Sequence, residues 1–299
     1  RKRLGHKHRI GRFFLTGARP AAEYGAAVTG ICPSELLAMR RHFAKAHGPY
    51  AQGTSLSHKL ALRGDDAWRA ALAPAIAWAQ ETWRAVTGDS SPHFSIKELA
   101  DIWHGVGRPS STEWSASRGP VAAMHLSLRY IDWQMHEPFV FISDRKDRIV
   151  LTANSPGMVA KLFKDAMQRK HELALVSHYF DANTTVERMC IDLVRSATSS
   201  HSRKFTPLEQ GCLAAWFCDA IWTRQRAFDA GYIIDPKCEL CGKASDTVWH
   251  RIWLCQAPQC IAARSDAAPW WIVTKAKRAG PSSTVYSKGI FPHPEALVP

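Results

Sequence analysis

Several signatures of common protein classes are absent from this sequence of 299 residues. It has no run of about 18 apolar residues, so no membrane-spanning helix is predicted. No nucleophile elbow, P-loop or dinucleotide-binding fingerprint is present, which leaves no basis for predicting the enzymes that depend on them. We expect no secretory signal before the basic start. The first residue is Arg rather than Met, so we expect the chain to be a segment of a longer polypeptide.

Acidic residues are also scarce. The chain contains 26 Asp and Glu and 39 Lys and Arg, which gives a net charge of +13. Residues 1–22 contain seven Lys or Arg and no acid. Such a basic arm suits contacts with phosphates, since Lys and Arg displace counterions from a nucleic acid without reading its sequence. The alternative is a solvated tail. The predicted nucleic-acid contacts are Arg1, Lys2, Arg3, Lys7, Arg9 and Arg12.

Cysteine is too rare for a disulfide scaffold, with eight residues in the whole chain. Four of the eight nevertheless fall within residues 238–260. This clustering indicates metal binding in a reducing, intracellular compartment rather than disulfide formation.

The cluster has the spacing C-x2-C-x8-H-x4-C, formed by Cys238, Cys241, His250 and Cys255. Three thiolates and an imidazole are the ligand set of a closed tetrahedral zinc site, so we predict one structural Zn²⁺. Four protein ligands leave no position for a substrate, and the site therefore predicts stability rather than chemistry. The one credible substitute ligand is Cys260, and four unrelated core residues are the alternative.

The rest of the sequence predicts a mainly α fold with one β-hairpin and a small zinc module. Apolar residues recur at helical spacing in most segments, and most of the twelve tryptophans lie on these faces, where we expect core packing. The expected hairpin joins Phe139–Ile142 to Arg148–Leu151 through a five-residue turn, near 139–152. Helices are predicted to begin at Ser34 (as N-cap), at Pro74, at a Ser95–Glu98 capping box, at Pro120 (to Trp133), after Ser155, over 186–194, and after Pro207 as far as Gly231.

These elements suggest a division into successive regions. A helical region with the basic arm spans 1–105, a Ser/Gly/Pro-rich linker spans 106–119, and a second helical region spans 120–235. The zinc module follows at 236–262. Residues 263–299 are rich in Pro and Ser, which predicts an irregular tail.

The segment Cys238–Cys255 resembles the cysteine-histidine knuckle that lies downstream of the polymerase core in reverse transcriptases of non-LTR retrotransposons. Glu239 stands where that knuckle usually has proline. The lead-in Asp219–Arg226 with Asp235-Pro236, and the segments Tyr24–Gly30 and Pro33–Arg41, are also similar to this family. The resemblance implies a helical thumb and connection region followed by the knuckle, a nucleic-acid partner, and a location in the nucleus.

The polymerase active site of that family is missing. It requires paired carboxylates in a hairpin, whereas the adjacent acids here, Asp65-Asp66, precede a helix and are predicted to cap it. Asp144, Glu172 and Asp192 loosely resemble the carboxylates of a ribonuclease H, but surface charge is the preferred interpretation. We therefore predict no catalytic residues in this chain.

Two hypotheses for function remain open at this stage. The first is a nucleic-acid-binding, zinc-stapled portion of a reverse-transcriptase-like protein, without preference for sequence and with RNA and DNA undistinguished. The second is a repurposed or decayed retroelement segment that serves as a zinc-containing protein-interaction module. The charge of the knuckle is only +1, so the basic arm, not the zinc, favours the first hypothesis.

Overall fold

The structure is a computed structural model, and it describes residues 19–46, 53–65, 67–88, 94–106, 114–116, 119–179, 189–199 and 201–292. Helices dominate, as the sequence predicted. In chain order they are α1 (Arg19–Glu23), α2 (Ala26–Thr29), α3 (Pro33–Ala46), α4 (Leu56–Arg63), α5 (Trp68–Ala71), α6 (Ala73–Thr87), α7 (Ile96–Val106), α8 (Gly119–Tyr130), α9 (Pro156–Tyr179), α10 (Asp192–Thr198), α11 (Pro207–Phe217), α12 (Arg224–Asp229), α13 (Pro258–Ala267), α14 (Trp270–Ala279) and α15 (Thr284–Lys288).

The strands form two small antiparallel sheets. One has the order β1 (Gln134–Glu137), β2 (Val140–Ile142), β3 (Arg148–Val150), and the other pairs β4 (Met189–Cys190) with β5 (Phe291–Pro292). The predicted hairpin is confirmed, since Phe141 pairs with Ile149 across the expected turn. The strand β1 was not predicted.

The chain divides into two compact units. Unit one comprises Arg1–His47 and Gly64–His171, and unit two comprises Gly48–Arg63 and Glu172–Pro299. The boundaries of these units differ from the region boundaries that composition predicted. The helices before and after the predicted 106–119 linker, α7 and α8, both pack against α6 and so belong to one core.

Unit one is held together by apolar side chains at the spacings expected for buried helix faces. Its core includes an aromatic cluster in which the ring centroid of Trp133 lies 4.9 Å from that of Phe163 and 6.5 Å from that of Phe141. The indole nitrogen of Trp78 on α6 donates a hydrogen bond of 2.8 Å to the carbonyl oxygen of Pro138 beside the sheet. This hydrogen bond joins α6 to the sheet in addition to apolar packing, and it satisfies the indole N–H of Trp78.

Unit two contains a separate core and a small cluster around the cysteines. The core collects Ala61, Leu62, Leu175, Ile191, Val194, Ala214, Phe217, Cys218 and Ile290. The cysteine cluster consists of the buried residues Cys238, Cys255 and Ala257, with Cys241 and Cys260 packed against it. Few apolar side chains surround these cysteines, so packing alone gives this part of the unit little stability.

Several predicted helix boundaries hold because local capping determines them. Ser95 and Glu98 form the predicted capping box: Ser95 N donates to Glu98 Oε2 at 2.8 Å, and Glu98 N donates to Ser95 Oγ at 3.3 Å. Pro74 lies in the first turn of α6, as expected. At α3, however, Pro33 is already helical, so the prediction of Ser34 as N-cap is wrong.

Other predicted elements differ from the structure. The single helix expected from Pro207 to Gly231 is two helices, because Asp219 has a left-handed φ of 57°. Residues 189–190 form a strand rather than part of a helix over 186–194, and α8 ends at Tyr130 rather than Trp133. The tail predicted to be irregular from residue 263 contains α14 and α15, and α13 reaches into it.

Candidate metal centre

The four residues with metal-ligand spacing converge in the structure. The Sγ atoms of Cys238, Cys241 and Cys255 and a ring nitrogen of His250 all lie within 4.8 Å of one another. The Sγ atoms of Cys238 and Cys255 are 3.9 Å apart, and Cys241 Sγ lies 3.3 Å from His250 Nε2. Ligand bonds of about 2.3 Å to sulfur and about 2.0–2.1 Å to nitrogen in a tetrahedron imply separations of roughly 3.5–3.8 Å. The cluster can therefore hold one metal ion.

A tight turn presents the first two ligands. Lys237 and Ser245 pair across a short bridge, and the N–H of Cys238 donates to the carbonyl of Ala244 at 2.8 Å. Gly242 closes the turn by donating its N–H to the carbonyl of Cys238 at 2.7 Å, with a left-handed φ of 65° that favours glycine.

A π-helical turn, His250–Leu254, presents the other two ligands. The N–H of Cys255 donates to the carbonyl of His250 at 2.7 Å, so the hydrogen bond spans five positions of the chain. The short apolar run over 248–255 predicts about two turns of helix, and the structure forms a wider turn instead. The wider turn places the ligands five positions apart on one side of the backbone, which an α-helical spacing of four does not do. Thr247 caps this segment, since its Oγ1 accepts from His250 N at 3.0 Å.

The electrostatics of the thiols suit a cation. The backbone N–H of Lys243 lowers the pKa of Cys241 to about 6, so this thiol is largely a thiolate at neutral pH. Burial raises the pKa of Cys238, and burial also raises the pKa of Cys255. A bound cation would favour the thiolate form of both buried cysteines, and their protons would be released when the ion binds.

Asp246 organises the residues around the ligands. Its carboxylate is buried and accepts two hydrogen bonds from the Arg251 guanidinium and one from the backbone N–H of Arg224 at 2.8 Å. Burial raises the pKa of Asp246, but the hydrogen bonds from Arg251 and Arg224 outweigh burial and leave the pKa below its ordinary value. A charged Asp246 thus ties the start of α12 and the π-helical turn to the cysteine turn.

Contacts from the following helices complete the surroundings. The guanidinium of Arg264 on α13 donates to the carbonyl oxygen of Cys255 and to that of Ile252. The indole nitrogen of Trp253 donates to the carbonyl of Tyr286 on α15 at 3.0 Å. These supporting residues were not predicted. Thr247, three residues before His250, is the one contact whose cap spacing could have been recognised in the sequence.

The structure does not test the other predicted binding residues. The six basic residues Arg1, Lys2, Arg3, Lys7, Arg9 and Arg12 lie outside the described residues. Among the described residues, no helix combines the length and apolar character that crossing a bilayer requires.

The acidic residues considered for catalysis have structural partners. Asp65 Oδ1 accepts from the backbone N–H of Ala67, and Ala67 itself is the N-cap of α5, so Asp65 does not cap this helix as predicted; Asp66 lies outside the described residues. In unit one, Asp144 accepts hydrogen bonds from Arg169 and from the indole of Trp133. In unit two, Arg195 pairs with Glu172 and with Asp192. The sequence predicted solvated surface charge for Asp144 and Glu172. Instead, Asp144 forms an ion pair with Arg169, and Glu172 forms one with Arg195.

No family model, no curated protein and no solved structure matches this chain.

Proposed function

We propose that this chain is the nucleic-acid-binding, zinc-stapled portion of a reverse-transcriptase-like retroelement protein, from the region after the polymerase core. The Cys3His cluster supports the zinc part of the proposal. Three thiolates and one imidazole within 4.8 Å of one another favour Zn²⁺ over the harder Mg²⁺ and Ca²⁺, which take oxygen ligands.

The bound ion would supply folding energy to a part of unit two that has few buried apolar residues. The tight turn orients Cys238 and Cys241 to bind the ion, and the π-helical turn orients His250 and Cys255. All four positions of a tetrahedral ion are filled by protein atoms, so the site is structural in this proposal.

The charge distribution supports a polyanionic partner. The net charge is +13, and the basic arm contributes seven of the positive charges. A second excess of positive charge follows the metal cluster. Residues 258–292 contain one acidic residue, Asp266, and five basic residues: Arg264, Lys275, Lys277, Arg278 and Lys288. Positive charge at both ends of the sequence favours contact with phosphates along a nucleic acid, RNA or DNA, in a reducing compartment such as the nucleus.

A protein-interaction module is the second candidate. Unit two exposes large apolar side chains near α12, where Tyr232 is 72% and Ile234 is 96% accessible to solvent. Exposed apolar residues of this kind mark surfaces that bind proteins when they form a contiguous patch. The two candidates differ in the expected response to salt.

The dependence of binding on salt tests the proposed function. Affinity for a labelled oligonucleotide should fall linearly on a log-log plot, with a slope of about 0.7 per phosphate contact on single strands and about 0.9 on B-DNA. Removing residues 1–12 deletes six positive side chains, so the slope should become shallower by about 4–5 if all six contact phosphates.

A truncation that removes no basic residue serves as the control. Residues 293–299 contain no Lys or Arg, so their removal should leave the slope unchanged. If removal of residues 1–12 also leaves both slope and affinity unchanged, the basic arm is a solvated tail and the protein-interaction hypothesis takes precedence.

A further inference from the structure

Helices α13 and α14, which follow the metal cluster, border an open cleft of about 520 Å³. Its lining includes Gln256, Arg264, Trp270, Thr274 and Lys277, and no carboxylate is among the lining residues. We propose that this cleft binds a short stretch of single-stranded nucleic acid, with a base stacked on Trp270 and a phosphate on Lys277. This inference rests on the proposed function and assigns a site to it.

Trp270 is the first observation that supports this site. Its side chain is 78% exposed, although tryptophan is among the side chains that gain most from burial. Core packing was expected for most tryptophans; Trp68, Trp78, Trp103 and Trp133 are buried, whereas Trp222, Trp270 and Trp271 are exposed. An exposed indole at the rim of a cleft offers a flat face on which any base can stack, independent of sequence.

The charges on α14 are the second observation. Lys275, Lys277 and Arg278 lie on this helix, and it contains no acid. In the part of the chain that the structure describes, none of these three forms an ion pair. Their charges are therefore not neutralised within the protein, and they complement a phosphate backbone better than they complement an apolar protein surface.

Helix geometry brings the stacking residue and a charge to the same cleft. Trp270 and Lys277 are separated by seven positions, which is about two turns and roughly 10 Å along one face of α14. A single strand can place an unstacked base at one end of this face and a phosphate at the other. A duplex cannot do so without unpairing, because its bases are already stacked.

The metal cluster positions the wall of the cleft that α13 forms. Arg264 lines the cleft, and its guanidinium donates to the carbonyl of the ligand residue Cys255. Ala257, immediately before α13, packs against Cys238 and Cys255. The wall should therefore keep its position only while the ligands are held together.

The test compares two labelled strands of equal length: an oligothymidylate and an abasic strand with the same phosphates. The full chain with zinc bound should bind the oligothymidylate more tightly. Trp270→Ala should weaken oligothymidylate binding roughly 5- to 150-fold, the usual effect of losing one base–aromatic stack, and should leave abasic binding unchanged. Trp270→Phe should restore most of the loss. Far-UV circular dichroism and zinc content verify that each variant is folded.

A matched pair of lysine variants tests the phosphate contact. Lys277→Gln should reduce affinity for both strands more than Lys204→Gln does, because Lys204 is an exposed lysine of the same unit outside the cleft. Equal losses for the two variants would mean that charge acts without a defined site.

The remaining outcomes separate the site from the function. If oligothymidylate and abasic strand bind equally well to the wild type, or if Trp270→Ala weakens both equally, the stacking site is wrong while nucleic-acid binding stands. If neither strand binds, both proposals fail.

Discussion

The carboxylate of Asp65 accepts hydrogen bonds from two residues that are distant in sequence. Its Oδ2 lies 2.7 Å from Arg40 Nε on α3 and 2.9 Å from His171 Nε2 on α9. All three side chains are buried, and Arg40 also donates to the hydroxyl of Tyr130. Burial raises the pKa of Asp65, but the bonds and charges of His171 and Arg40 outweigh burial and hold the pKa below its ordinary 3.8.

We expect Asp65→Asn to destabilise unit one by about 3–5 kcal/mol, because it leaves the Arg40 charge buried without its partner. The pKa of Asp65 is lower in the folded state than in the unfolded state. Its contribution to the free energy of unfolding is therefore fully present above pH 3.8, and it is lost as the pH falls through the folded-state pKa. Urea unfolding followed by circular dichroism at neutral pH and near pH 3 measures both effects.

Asp132→Asn is the matched control for Asp65. Its carboxylate pairs with Lys170 at 3.4 Å and is 73% exposed, so its loss should cost no more than about 1 kcal/mol. If the two substitutions lower the free energy of unfolding equally, the buried contacts of Asp65 with Arg40 and His171 do not stabilise the fold as proposed.

The metal ligands allow a second prediction at the residue scale. Cys241→Ala combined with His250→Ala should reduce zinc from about one ion per chain to almost none, because two ligands cannot hold a tetrahedral ion. Cys260→Ala should retain the ion, since Cys260 packs beside the cluster but is not one of the converging ligands. Elemental analysis of dialysed protein measures the zinc content. Unchanged zinc in the double variant would exclude this site.

At the scale of elements, the sequence predicted what local chemistry determines. The Ser95–Glu98 capping box and the hairpin at 139–151 depend on neighbouring residues, and both are present. The metal ligands could be identified because their spacing is itself local. The supporting contacts could not be, since Arg224, Arg264 and Tyr286 reach the cluster through tertiary structure.

The helices after the metal cluster illustrate why the predicted tail was wrong. In α13 the sequence has no apolar stripe from which an amphipathic helix is recognised, and no residue of this helix is buried. The break after α11 was missed for the opposite reason. Apolar periodicity continues through Ala220 and Ile221, whereas the left-handed Asp219 is held by an ion pair with Lys288, which lies 69 positions away in the chain.

Substitutions at Asp219 should show which feature sets this break. Asp219→Val should destabilise unit two by about 1–2 kcal/mol from backbone strain alone, and by more once the pair with Lys288 is lost, since β-branched residues rarely adopt positive φ. Asp219→Asn should cost less, because Asn tolerates this conformation. Thermal melting of zinc-loaded protein measures the difference. Equal melting temperatures for the two variants would show that the conformation is unimportant.

At the scale of the whole molecule, the two units should differ in their dependence on the metal. The cysteine cluster is separate from the apolar cores of both units, yet hydrogen bonds connect it to α12, α13 and α15. Its loss should therefore affect more than residues 238–255, which the ligands span.

We expect removal of zinc by a chelator to increase hydrogen exchange throughout residues 224–288, because the contacts of Arg224, Arg264 and Trp253 depend on the position of the ligands. Exchange in α6 and α8 should remain slow, since these helices pack in the core of unit one. Mass spectrometry of exchanging peptides locates the change, and added zinc should reverse it. The Cys241→Ala, His250→Ala variant serves as the control, because the chelator should change nothing further in it. Faster exchange in α6 and α8 as well would mean that the metal site supports the fold of both units, and the independence of unit one would then be disproved.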